Sequence, residues 1–136
     1  MANILIYTDG GARGNPGPAA AGYVIKNGDT TVAEAGIYLG DFLTNNSAEY
    51  EALFLALQKA VELNLEKNAI EARLDSKLVV EQVMGRWKIK EPNLKIQCAK
   101  IKDLIQKSFT KVTCVYIPRE QNKRADALVN EALDSH

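Results

Sequence analysis

Apolar and polar positions alternate at the start of the chain. From Asn3 to Asp9, Ile4 and Ile6 fall on one side and Leu5 and Tyr7 on the other. A strand apolar on both faces belongs in the middle of a sheet. The run from Gly10 to Pro18 holds so many glycines and prolines that it reads as a tight connection. Residues 20–27 and 31–39 are two further strands, separated by Asn27-Gly28-Asp29. Asn-Gly between apolar runs predicts a hairpin, so the first three strands form an antiparallel meander.

The period then changes from two to between three and four. Asn46-Ser47-Ala48-Glu49 has the form of a capping box, which puts Glu49 in the first turn of a helix. Tyr50, Leu53, Phe54, Leu57, Ala60 and Val61 give that helix one apolar face, as far as Asn64. Alternation returns from Ala69 to Asp75, with Ile70, Ala72 and Leu74 opposite Glu71 and Arg73. A helix is predicted from Ser76 to Gly85, and Pro92 opens another that runs to Lys107. Val112–Ile117 is the fifth strand, stopped by Pro118. The last helix starts at Asn122 and carries the stripe Ala125, Leu128, Val129, Ala132 and Leu133.

The order βββαβααβα predicts an α/β fold, a mixed sheet flanked by helices. At 136 residues the chain fits a single domain over 1–136, without repeats or linkers. No apolar run approaches the ~18 residues of a membrane-spanning helix. Nor does the beginning show a basic region, apolar stretch and cleavage site, so no secretory signal is expected and the expected location is cytoplasmic. Cys98 and Cys114 fall in a helix and a strand, which suits small buried residues in a reducing compartment better than a disulfide.

Net charge is zero, against a protein that coats nucleic acid by bulk electrostatics. Its distribution is uneven. Residues 29–75 hold nine acidic and three basic side chains, and residues 77–111 hold nine basic and three acidic ones. An acidic metal site beside a cationic groove would give this asymmetry, and so would two solvated faces.

Four carboxylates stand where strands end or helices begin. Asp9 and Asp75 close two strands, while Glu49 and Asp126 open two helices. Such places collect ligands in α/β proteins. Phosphodiester hydrolysis with two metal ions, about 3.5–4 Å apart, needs several hard anionic oxygens gathered together. Each residue also has an ordinary structural explanation. Asp9 could be a turn residue, Glu49 a capping residue, Asp75 an N-cap, and Asp126 a favourable charge on a helix dipole.

Their surroundings are more specific. Tyr7-Thr8-Asp9-Gly10-Gly11-Ala12-Arg13-Gly14-Asn15-Pro16-Gly17-Pro18 resembles the opening motif of the type 1 ribonuclease H family. Thr44-Asn45-Asn46-Ser47-Ala48-Glu49 resembles its second acidic motif, Leu74-Asp75-Ser76 its third, and Asn122-Lys123-Arg124-Ala125-Asp126 its fourth. All four come in the family's order over essentially the whole chain. The resemblance implies a ribonuclease H-like five-stranded mixed sheet, Mg2+ or Mn2+ as cofactor, and cleavage of the RNA strand of an RNA–DNA hybrid. It implies metal binding by Asp9, Glu49, Asp75 and Asp126, with substrate contacts at Asn15, Asn46 and Ser76 and a DNA-strand phosphate at Thr44. Amide and hydroxyl side chains suit this work, since the 2′-hydroxyl distinguishes RNA from DNA.

The chain departs from the family's pattern in two places. Many members carry a histidine in the loop before the fourth motif, but the only histidine here is His136, expected to fray. That loop offers Arg119, which could steady phosphate charge but not act as a base, and Glu120, a candidate for metal or proton handling. Some relatives also insert a basic protrusion, which Val83–Pro92 replaces with a short connection. There Arg86, Lys88 and Lys90 surround Trp87, either as a surface along the DNA strand or as solvated lysines around a core tryptophan.

A hybrid-specific endoribonuclease is the leading expectation, acting as a monomer. A relaxed nuclease that also cuts double-stranded RNA follows it. A binding module of the same fold without catalysis is disfavoured, because four anions facing a phosphate backbone would only weaken binding. A structural domain of a larger complex is disfavoured by how soon the chain ends after its last helix.

Overall fold

The computed structural model describes Ile4 to His136; the predicted strand start at Asn3 lies outside these residues. Five strands form one mixed sheet in the order β3-β2-β1-β4-β5. β1 (Ile4–Ala12), β2 (Gly17–Asn27) and β3 (Thr30–Leu43) are the antiparallel meander. Its hairpin turns on Gly28 and Asp29, where Gly28 takes φ 63°, a left-handed value that glycine adopts without strain. β4 (Ala69–Leu74) and β5 (Lys111–Tyr116) continue the sheet parallel to β1.

The meander strands are longer than the sequence pattern suggested. β1 runs three residues past Asp9, through Gly10, Gly11 and Ala12, each paired with an alanine of β2. Small residues on both strands carry no hydrophobic alternation, so this part of the ladder is invisible to periodicity. β2 correspondingly begins at Gly17, and β3 extends to Leu43.

The helices are α1 (Asn45–Glu62), α2 (Lys77–Val83), α3 (Pro92–Ser108) and α4 (Lys123–Asp134), the last preceded by a 3-10 turn at Arg119–Gln121. The main core joins Ile4, Ile6, Ile25, Ile70 and Leu74 of the sheet to Tyr50, Leu53, Leu57, Val79 and Ile101 of α1, α2 and α3. Burying each of the large aliphatic side chains contributes about 1.5–3 kcal/mol. On the opposite face α4 packs over β2, β3 and the end of β1, with Ala20, Val129 and Leu133 in a smaller cluster. Leu5 and Tyr7 are only half-buried, because α4 crosses the sheet to one side of them. Cys98 and Cys114 are buried and free, and burial pushes the Cys114 thiol up to about 12. Among the described residues no helix is long and apolar enough to cross a membrane.

Candidate active site

Strand register brings the first two carboxylates together. β1 and β4 run parallel with Thr8 opposite Leu74, so the next residues, Asp9 still within β1 and Asp75 just past the end of β4, lie side by side. Glu49 reaches them because α1 lies directly on β1. A β-carbon at Gly10 would collide with the Ala48 carbonyl and the Glu49 amide, so only glycine permits this approach. The helix does not start as the capping-box pattern implied. Thr44 is the N-cap, its hydroxyl accepting from the Ser47 amide at 3.1 Å. Glu49 therefore sits in the second turn, with its carboxylate free to face Asp9.

Asp126 arrives from the other face on the first turn of α4. Two glycines set how closely this helix docks. Gly22 lies across the ladder from Asp9, and Gly36 across from Gly22. A β-carbon at Gly22 would strike the Ala125 carbonyl, and one at Gly36 the Leu128 carbonyl. The α4 backbone thus rests on the sheet, and Asp126 emerges beside Asp9.

Asp9, Glu49, Asp75 and Asp126 line one cleft of about 400 Å³, together with Asn46, Ser76 and Arg119. Carboxylate oxygens of Asp9, Glu49 and Asp75 lie within 4.8 Å of one another, and the half-buried Asp126 lines the same cleft. Asp9 is 5% exposed and Glu49 7%. Loss of solvent raises the Asp9 carboxyl to about 7; a hydrogen bond with Glu49 opposes the rise, and the Asp75 and Asp126 charges add to it. Burial first, and the Asp9 charge second, hold Glu49 well above the usual carboxylate range. One Glu49 oxygen, Oε2, is buried with no hydrogen-bond partner. Three close carboxyl groups and a buried carboxyl oxygen without a partner are what a hard divalent cation would satisfy, so the residues fit such an ion.

Asn122, part of the fourth motif, has contacts that the sequence does not reveal. It is 1% exposed, and its Nδ2 donates to the Thr8 carbonyl at 2.7 Å and to Asp75 Oδ2 at 3.2 Å. Asn45 is a second such residue, its Oδ1 accepting from the Ala12 amide at 2.8 Å.

The remaining candidates fall in several places. Ser76 lines the carboxylate cleft and caps α2, accepting from the Val79 amide at 3.3 Å. Asn15 and Thr44 line a neighbouring cleft of about 610 Å³, and Asn46 lines both. Asn15 Oδ1 accepts from the Asn45 amide at 2.9 Å, tying the β1–β2 connection to the start of α1. Arg119 faces the carboxylate cleft, whereas Glu120 is exposed on the 3-10 turn and is not among the residues lining it. Arg86 is paired with Glu81 through two nitrogens at 2.8 and 2.9 Å. Trp87 is 45% exposed, so it does not pack in the core, and Lys88 beside it is also exposed. His136 is held rather than frayed: its ring stacks on Tyr38 at 3.4 Å, with Nε2 3.9 Å from Asp41.

Sheet order, crossover and carboxylate edge together define an α/β domain of the ribonuclease H-like class. Comparison with known proteins agrees. The family described as reverse transcriptase-like matches residues 7–132. Ribonuclease HI of Halobacterium salinarum is 45% identical over 132 residues, covering 96% of this chain and 64% of that protein. Ribonuclease H of Alcanivorax borkumensis is 34% identical, covering 98% and 93%. The crystal structure of LC11-RNase H1, isolated from compost and bound to an RNA/DNA hybrid, superposes with a TM-score of 0.93 at 47% identity, covering 97% of each chain. The chain belongs to the ribonuclease H family. It spans 64% of the Halobacterium relative's length and 36% of several mycobacterial ones.

Proposed function

We propose that this chain is an endoribonuclease that hydrolyses the RNA strand of RNA–DNA hybrids, at a site holding two Mg2+ ions for which Mn2+ can substitute. The observation that carries the reading is the buried cluster of Asp9, Glu49 and Asp75 with an unpartnered Glu49 oxygen. Asp9, Glu49, Asp75 and Asp126 would hold the ions, which when bound supply Lewis acidity toward phosphate and an acidified water. The protein's own part is to keep four anions converged and to present polar groups to the backbone. Asn46 lines both clefts, which supports a strand path from the carboxylates and Ser76 toward Asn15 and Thr44. Arg119 in the carboxylate cleft is placed to offset phosphate charge; no histidine stands in its loop to serve as a base.

The domain over 1–136 works in this reading as a monomer in the cytoplasm, where two free buried cysteines persist. The test is cleavage of an end-labelled hybrid beside matched double-stranded RNA and duplex DNA, with Mg2+, with Mn2+ and without metal. Metal-dependent cutting of the hybrid's RNA alone is expected. Equal cutting of double-stranded RNA would replace hybrid specificity with the relaxed reading. Binding without cutting in either metal would refute the enzyme.

A further inference from the structure

We infer that Asn122 is the positioning residue of the carboxylate site: its amide fixes Asp75 as a ligand and locks α4, with Asp126, onto β1, with Asp9. The inference rests on the metal-site reading above.

Asn122 occupies the junction between the 3-10 turn and α4, and it is almost wholly buried. Its amide nitrogen has two hydrogens and two acceptors. One is the carbonyl of Thr8, the residue before Asp9; the other is the Asp75 carboxylate. Both bonds are long-range, spanning 114 and 47 positions of sequence. The Asn122 carbonyl also accepts from the Asp126 amide at 3.1 Å, in the first turn of α4. One residue is therefore bonded to the strand bearing Asp9, to the carboxylate of Asp75 and to the backbone of Asp126.

The chemistry of the contact decides its role. A carboxylate beside other buried anions tends to swing toward solvent, where repulsion is lower. A neutral donor holds one oxygen of Asp75 without cancelling its charge, which leaves the other oxygen for a cation. A lysine or arginine at this position would hold Asp75 more strongly but would compete with the metal. The helix cap could have been made by serine, threonine or aspartate, yet the Asn122 side chain makes no cap bond here. Its amide is directed inward. Asn122 Oδ1 is left buried without a partner, an unfavourable arrangement that is hard to explain if stability alone placed the residue.

The experiment is titration of the full chain with Mn2+ alone, by calorimetry, in wild type, Asn122→Ala, Asp75→Asn and the double variant. Thermal unfolding in chelator is recorded for each, and Asn122→Ser serves as a milder variant should the alanine fail to fold. Outer partners of metal ligands typically govern about 10–100-fold in affinity. Asn122→Ala is expected to weaken Mn2+ binding by about 10-fold or more, and Asn122→Ser by less. In the Asp75→Asn background the same change should cost under about 2-fold, since its target is already gone. A lowered unfolding temperature with unchanged Mn2+ affinity would overturn the inference and leave Asn122 a purely structural residue. Equal losses in both backgrounds would overturn its action through Asp75. Absence of Mn2+ binding by wild type would instead refute the metal-site reading, and this inference with it.

Discussion

Asp9 concentrates the conflict at the centre of the site. Its carboxyl is raised from 3.8 to about 7 chiefly by burial, with the Asp75 and Asp126 charges adding to the rise. The folded chain consequently binds protons more tightly than the unfolded chain between these values. Metal-free stability is therefore greatest at the acid end of that interval and falls as pH climbs from about 4 through about 7. Glu49 shifts in the same direction. Glu34 and Glu81 are shifted the opposite way by Arg124 and Arg86, so their contributions are lost only as pH falls through the lower carboxylate range. In chelator, the unfolding temperature should be higher at about pH 5 than at about pH 8, and Asp9→Asn should flatten that slope. A flat wild-type profile would contradict the burial of these charges. The same substitution should abolish most hybrid cleavage while raising metal-free stability near neutral pH by about 1 kcal/mol or more. Arg119→Ala should slow turnover only moderately, read from steady-state cleavage rates; no change would leave the arginine without a part in the reaction.

Elements place these residues, and their legibility in sequence varies with cause. Strands with alternating aliphatics, such as Ile70, Ala72 and Leu74, were readable because one face is buried and the other is not. The last third of β1 was not, since Gly10, Gly11 and Ala12 offer no alternation. The start of α1 was misread by two residues: Asn46 and Glu49 fit a capping box, but Thr44 makes the cap bond. Asp9, Glu49, Asp75 and Asp126 were legible through their motifs. The two glycines that admit α4, Gly22 and Gly36, become meaningful only when strand register sets them in a row from Asp9. Asn122 was silent because its partners are remote in sequence. Thr44→Ala should lower stability by about 1 kcal/mol through loss of the α1 cap, measured by denaturant unfolding. Gly22→Ala should be costlier, by about 2–4 kcal/mol, because the α4 backbone has to lift off the sheet, and it should weaken cleavage with it. Equal stability of Gly22→Ala and wild type would show that α4 docks more loosely than described.

At the scale of the molecule, fold and charge distribution serve one arrangement. The parallel β1–β4 pair fixes two anions side by side, α1 and α4 bring two more from opposite faces, and a second polar cleft adjoins the first. The excess of cations in residues 77–111 follows the acidic segment in sequence, and among them Arg86 is already paired. If the carboxylate cluster hydrolyses hybrid RNA through divalent metal, as proposed, cleavage has to depend on both the ion and Asp9. The most direct test follows RNA-strand cleavage in a hybrid as Mg2+ is raised from zero, in wild type and Asp9→Asn under identical conditions. Cleavage by wild type that is absent without Mg2+, saturates with it and is nearly lost in Asp9→Asn is the predicted result. Cleavage that proceeds in chelator, or that survives in Asp9→Asn, would show that the carboxylate cluster does not act through metal.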